Sequence, residues 1–150
     1  MIILGVESSA VSVSAAVLKD GKLICENFAN TGFTHSVTLL PMINAALESC
    51  ALKPSDIDVI AVANGPGSFT GLRIGAATVK GLAQGGAECL GVSTLLSMAH
   101  EHIDSDAIIC PCMDARCSQL YNALFESVDG KIKRLCDDRA IMIEELAQEV

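Results

Sequence analysis

Tryptophan is absent from the 150 residues, and one tyrosine and four phenylalanines are the only aromatics. The interior must therefore be filled by Val, Ile, Leu, Ala and Met, which a 51% hydrophobic composition supplies. Positive charge is scarce as well. The formal net charge is −8, and Lys19, Lys22, Lys53, Arg73 and Lys80 are the only Lys or Arg of the first hundred residues. Phosphate contacts need clustered Lys and Arg, so the chain is not expected to bind nucleic acid by itself. Any RNA it serves must be held by something else. Missing too is an apolar run of the roughly 20 residues that spans a bilayer. The opening Met1-Ile2-Ile3-Leu4-Gly5-Val6 has no basic segment and meets Glu7 at once, so it reads as a buried strand rather than a secretion signal. The expectation is a cytoplasmic protein without membrane attachment.

Seven cysteines are present. In a reducing compartment they are expected to stay free and to pack as small, inert, buried hydrophobes. Cys110, Cys112 and Cys117 give C-x-C-x4-C, which lacks the paired C-x2-C arms of a zinc site. Cys110 and Cys112 fall on one face of an expected strand. The three histidines, His35, His100 and His102, offer no pair one helical turn apart to share a metal. No metal site is expected, nor any Ser/His/Asp set.

Residues 2–8 form an apolar run and residues 11–18 alternate at period two. Lys19-Asp20-Gly21-Lys22 is a hairpin turn, and 23–28 a third strand. Thr31 to Phe33 reads as loop, with Thr34 as the N-cap of a helix over His35 to Ala51. Pro41 should kink that helix or disturb its first turn. Strands follow at Ile57 to Ala63 and Glu88 to Val92, on either side of a helix from Thr70 to Gln84 that Gly85-Gly86 closes. A third helix runs from Ser93 or Thr94 to about His102. Then the pattern restarts: a strand over Ala107 to Met113, a turn at Asp114-Ala115-Arg116, a strand over Gln119 to Glu126, a hairpin at Asp129-Gly130 into Lys131 to Leu135, and helix from Ile141. This order places a first domain at 1–103 and the start of a second, similar and incomplete one at 104–150. A three-stranded meander extended by parallel strands with crossover helices is a ribonuclease-H-like half, so the fold class is α/β of the actin, Hsp70 and sugar-kinase type.

The most informative stretch is Gly65-Pro66-Gly67-Ser68-Phe69-Thr70-Gly71-Leu72-Arg73-Ile74-Gly75, which leaves a strand and opens a helix. Backbone N–H groups at such a turn can cradle an anion, with Arg73 adding charge. Equally, a tight connection needs glycine for its backbone alone. The helix behind it holds Gly71, Gly75 and Gly81, each interior glycine costing roughly 1 kcal/mol relative to alanine. Close approach of another element would offset that cost: the helix of residues 35–51, another subunit, or both. Glu7, Ser8 and Ser9 stand where kinases of this fold hold magnesium and phosphate, but Ala10 and Val11 replace the usual glycine. With Gly65, Gly67 and Ser68 they make a vestigial phosphate site, binding ATP and magnesium weakly at most. Asp114 and Arg116 form either a loop at a cleft or an ion pair across a hairpin end.

Leu4-Gly5-Val6-Glu7-Ser8-Ser9, His35-Ser36 with Leu39-Leu40-Pro41, the Gly65–Gly75 stretch, Gly91-Val92-Ser93-Thr94-Leu95, and Asp114-Ala115-Arg116 with Leu120-Tyr121 together resemble the TsaB, or YeaZ, family. They run in the family's order over nearly the whole chain. The resemblance implies a non-catalytic subunit of the machinery that makes threonylcarbamoyladenosine in tRNAs reading ANN codons. It implies a heterodimer with the catalytic paralogue TsaD through two helices, a larger complex with TsaE, contact with tRNA only through that complex, and a homodimer when alone. The helix residues implied at the interface are His35, Leu39, Met42, Ile43 and Ala46, with Leu72, Arg73, Ala76, Ala77, Val79 and Lys80. Catalytic residues are implied to be none. A stand-alone ATP-binding kinase-like protein and a metallopeptidase are the competing readings.

Overall fold

The computed structural model describes residues 1–30 and 34–149; the loop expected at Thr31 to Phe33 lies outside them. Two compact units divide the chain, Met1–Val92 and Ser93–Val150.

In the first unit, β1 (Ile2–Glu7), β2 (Val13–Lys19) and β3 (Lys22–Ala29) form the expected antiparallel meander. Its β2–β3 turn, Asp20-Gly21, has φ of 51° and 78°, the paired left-handed values that match the twist of a two-residue hairpin. β4 (Val59–Gly65) lies parallel to β1, with Leu4 opposite Ile60, and β5 (Glu88–Ser93) completes the sheet order β3-β2-β1-β4-β5. Period-two alternation turns Leu4, Val6, Val13, Ala15 and Val17 to one face. There they meet Leu39, Ile43, Ala46 and Leu47 of α1 (His35–Ser49) and Val79 of α2 (Phe69–Leu82). The sheet order and helix-linked parallel strands are those of a ribonuclease-H-like half of the actin type. Pro41 sits inside α1 without ending it; it stands on the exposed side, where the lost N–H toward Val37 lies in water. A short 3₁₀ turn follows α2, and Gly86, at φ 106°, closes it.

The second unit starts at Ser93, eleven residues ahead of the start expected at 104, and its first element is α3 (Thr94–His100). The reason is packing: Leu95 and Ala99 share one buried cluster with Ile109, Ala123 and Phe125. Two three-stranded sheets follow. One is β10 (Lys131–Arg134), β9 (Phe125–Val128) and β6 (Ile108–Ile109); the other is β11 (Arg139–Met142), β8 (Gln119–Asn122) and β7 (Cys112–Arg116). The single strand expected over Ala107 to Met113 is thus two strands in different sheets, broken at Pro111, which has no N–H for a ladder. The expected turn at Asp114 to Arg116 is strand, and the left-handed turn residues are Cys117 and Ser118, after Arg116 at φ 67°. Asp114 accepts the backbone N–H of Arg116 at 2.7 Å, so its carboxylate closes the strand end locally instead of reaching across a hairpin. Helix from Ile141 is also corrected: β11 runs to Met142 and α4 covers Ile143–Glu149.

None of the cysteines is buried as expected: Cys89, Cys112 and Cys117 are exposed and the other four half-buried. No described helix is long and apolar enough to cross a membrane. Ile43 is wholly buried at the centre of the first unit. Ile43→Ala should lower stability by about 2–5 kcal/mol through lost burial and an unfilled cavity, read as a shift of the urea midpoint at constant slope.

Candidate functional site

The residues expected at the phosphate site do come together, at the C-terminal ends of β1 and β4 where α2 begins. What they form is a closed contact. Ser8 and Ser9 are buried, at 0% and 1% exposure. The Ser8 hydroxyl donates to the carbonyl of Gly71 at 2.9 Å. The N–H of Ser68 donates to the carbonyl of Ser9 at 2.6 Å. Ser68 caps α2, its hydroxyl oxygen accepting the Gly71 N–H at 3.3 Å. The Glu7 carboxylate folds back to accept the N–H of Ser9. His35 Nε2 donates to the carbonyl of Ala10 at 2.7 Å, which holds the far side of the turn.

The glycines explain why the approach is so close. A Cβ on Gly67 would lie 2.4 Å from the carbonyl oxygen of Ser9. On Gly71 it would lie 2.0 Å from the carbonyl oxygen of Ser8, and on Gly75 2.4 Å from the Ser8 hydroxyl. The glycine stripe therefore lies chiefly against the turn after β1, and α1 also reaches it, with the His35 ring 3.2 Å from a Cβ placed on Gly71. Gly81 is the exception, with nothing within 4 Å of an added Cβ.

This geometry decides what the turn can hold. An anion needs free donors, and here the Ser68 and Gly71 N–H groups are engaged and Pro66 has none. Their nearest neighbours are acceptors, the Ser9 carbonyl and the Glu7 carboxylate. Arg73 does not add its charge to the turn: its guanidinium stacks 3.9 Å above the Phe69 ring. Two of the turn's donors are thus closed to an incoming phosphate.

The helix residues expected at an interface divide into two sets. Leu39, Ile43, Ala46 and Val79 are buried in the unit's own core and offer no surface to a partner, which corrects that assignment. Apolar i, i+3, i+4 spacing marks the core side of a helix first. His35, Met42, Leu72 and Ala76 are half-buried, and Arg73, Ala77 and Lys80 exposed. Sequence reasoning missed Val37, Leu40 and Phe69, which are 62%, 45% and 67% exposed. Their signal was their position: large apolar side chains lying off the buried stripe. Phe69, Arg73, Ala77 and Lys80 succeed one another at helical spacing, so α2 carries one continuous outer face.

The family described as TsaD: tRNA N6-adenosine threonylcarbamoyltransferase matches residues 29–149. The tRNA threonylcarbamoyladenosine biosynthesis protein TsaB of Bacillus subtilis (strain 168) is 33% identical over 144 residues, 95% of this chain and 63% of that protein. Its counterpart from Escherichia coli (strain K12) is 30% identical over 152 residues, 99% of this chain and 65% of that one. The chain thus spans just under two thirds of the length of the curated relatives it matches. Among solved structures, YeaZ from Pseudomonas aeruginosa superposes with a TM-score of 0.86 at 27% identity, covering 95% of this chain and 68% of that one.

The glycine contacts give a graded test by chemical denaturation. Gly71→Ala should destabilise by about 1–3 kcal/mol or more, because the obstruction is backbone that has nowhere to go. Gly81→Ala should stabilise by up to ~1 kcal/mol, since it only removes glycine's entropy cost in an open helix position. Gly75→Ala should be relieved by Ser8→Ala, which deletes the obstructing hydroxyl. Gly71→Ala should not be, and equal coupling in both pairs would contradict the geometry.

Proposed function

This chain belongs to the family described as TsaD: tRNA N6-adenosine threonylcarbamoyltransferase and, within it, to the TsaB (YeaZ) branch, and on that basis we propose that it is a non-catalytic partner subunit in threonylcarbamoyladenosine synthesis on tRNA. The observation that carries this reading is the closed turn at Ser8, Ser9 and Gly67. A subunit that held ATP there would draw on the donors of that turn, and two of them are taken up internally, the Ser68 N–H by the Ser9 carbonyl and the Gly71 N–H by the Ser68 hydroxyl.

The chemistry then belongs to a catalytic paralogue of the TsaD type, with TsaE in the larger complex, and this chain contributes a surface. The outer face of α2, from Phe69 to Lys80, and the exposed Val37 and Leu40 of α1 supply it. Exposed aromatic and aliphatic side chains beside an arginine such as Arg73 are the usual anchors of a protein interface. In the absence of TsaD the same face serves an isologous homodimer. The tRNA is held elsewhere in the assembly, because five dispersed cations in the first hundred residues of a chain of net charge −8 cannot follow a phosphate backbone. The protein works in the cytoplasm, with its tRNA substrate.

Co-purification with TsaD tests the surface. Ala77→Glu and Lys80→Glu should each weaken capture at least about tenfold, or ~1.4 kcal/mol, with an unchanged melting temperature. Undiminished capture by both folded variants would remove the proposed face. Calorimetric titration with ATP and magnesium should give no micromolar binding by this chain, and such binding would contradict the non-catalytic assignment.

A further inference from the structure

We infer that Cys110 and Cys112 form a redox-modification site, a thiol pair that exchanges with low-molecular-weight disulfides and closes into an intramolecular disulfide. The two sulfurs already lie 3.8 Å apart. They flank Pro111 at the break between β6 and β7, where neither residue is tied into both sheets. Side chains at i and i+2 of extended backbone share one face, and at 3.2–3.4 Å per residue their Cα atoms are about 6.4–6.8 Å apart, inside the range a disulfide bridges. Closing the remaining gap needs rotation about the side-chain bonds of two residues, not movement of a sheet.

The surroundings suit both redox states. The buried Asn122 amide lies within reach of Cys110 Sγ at 3.2 Å and Cys112 Sγ at 3.8 Å. The same nitrogen reaches the carbonyls of Pro111 at 3.2 Å and Ala123 at 3.1 Å. An amide has two N–H bonds, and these carbonyls alone satisfy them, so oxidation of the sulfurs leaves no buried donor unpaired. Arg139 holds the amide's orientation, donating to its oxygen at 3.1 Å.

The two cysteines differ in access, which orders the steps. Cys112 is exposed and Cys110 half-buried. Burial pushes the Cys110 thiol up, and its contact with Cys112 adds to that. Cys112, as thiolate, attacks one sulfur of oxidised glutathione, breaking its S–S bond and releasing one glutathione thiolate. Cys110 then gives up its proton to solvent and attacks the Cys112 sulfur, and the second glutathione leaves. One protein dithiol is oxidised to a disulfide while one small-molecule disulfide is reduced to two thiols.

Cleavage before aspartate releases residues 106–113, whose only cysteines are Cys110 and Cys112. The whole chain is equilibrated across ratios of reduced to oxidised glutathione, quenched with an alkylating agent, and digested. The peptide should lose both alkyl groups together in a single transition that added reductant reverses. Cys110→Ser should stop at a glutathione adduct on Cys112, while Cys112→Ser should leave Cys110 alkylated throughout. A wild-type peptide that stays doubly alkylated at every ratio overturns the site. So does a persistent glutathione adduct on Cys112 beside a free Cys110, or pairing of Cys112 with the exposed Cys117.

Discussion

The first unit depends on one contact, the backbone of Gly71 against the carbonyl of Ser8. A Cβ at that position would stand 2.0 Å from a carbonyl oxygen fixed at the end of a central strand, so only glycine permits the approach. The contact places the first turn of α2 directly on the β1–β2 connection. From there Val79 comes down on the sheet beside Ile43 and Leu47. The Ser68 hydroxyl then caps the Gly71 N–H at the helix start, and the Ser8 hydroxyl, itself buried, is satisfied by the Gly71 carbonyl. The helix-propensity cost of interior glycines is thus offset by a packing arrangement unavailable to any other residue.

The same contact determines which side of α2 faces outward. By drawing the turn onto Ser8 and Ser9, it places the Ser9 carbonyl on the Ser68 N–H, beside a Glu7 carboxylate folded onto the Ser9 N–H. By facing the glycine stripe inward, it turns Phe69, Arg73, Ala77 and Lys80 outward. The Arg73 guanidinium stacked on Phe69 belongs to that face, covering part of an exposed ring while keeping its charge in water.

Much of this was legible from residue order. The meander, its Asp20-Gly21 hairpin, the two helices and the parallel strand followed from period-two and helical spacing. The convergence of Glu7, Ser8 and Ser9 with Gly65, Gly67 and Ser68 was legible as well. What the glycines pack against was not, because spacing within one helix reports that something comes close without saying what. Here it is a turn some sixty residues away in sequence (Ser8 and Gly71). The interface residues misplaced in the core, Leu39, Ile43, Ala46 and Val79, share a cause. An apolar stripe is the same pattern whether chain or partner covers it, and the chain's own sheet has first claim. In the second unit, β11 was missed because Arg139-Ala140-Ile141-Met142 is as good a helix start as a strand. Its pairing with β8, Arg139 opposite Asn122, is what decides.

Asn122 shows why strand breaks are hard to anticipate there. Both partners of the longest expected hairpin leave their ladder at one level: β6 and β7 part at Cys110-Pro111, and β8 and β9 part at Ala123-Leu124. Ile109 pairs with Phe125 in one sheet, and Cys112 with Asn122 in the other. Between those rungs the carbonyls of Pro111 and Ala123 have no strand partner, and a buried carbonyl left bare costs about 1–3 kcal/mol. The wholly buried Asn122 amide replaces the missing rung, its nitrogen on both carbonyls and its oxygen on Arg139. A polar side chain in the interior, which composition alone would mark as a defect, is what lets two strands change sheets together. It also leaves Cys110 and Cys112 side by side at the break, outside any shared ladder.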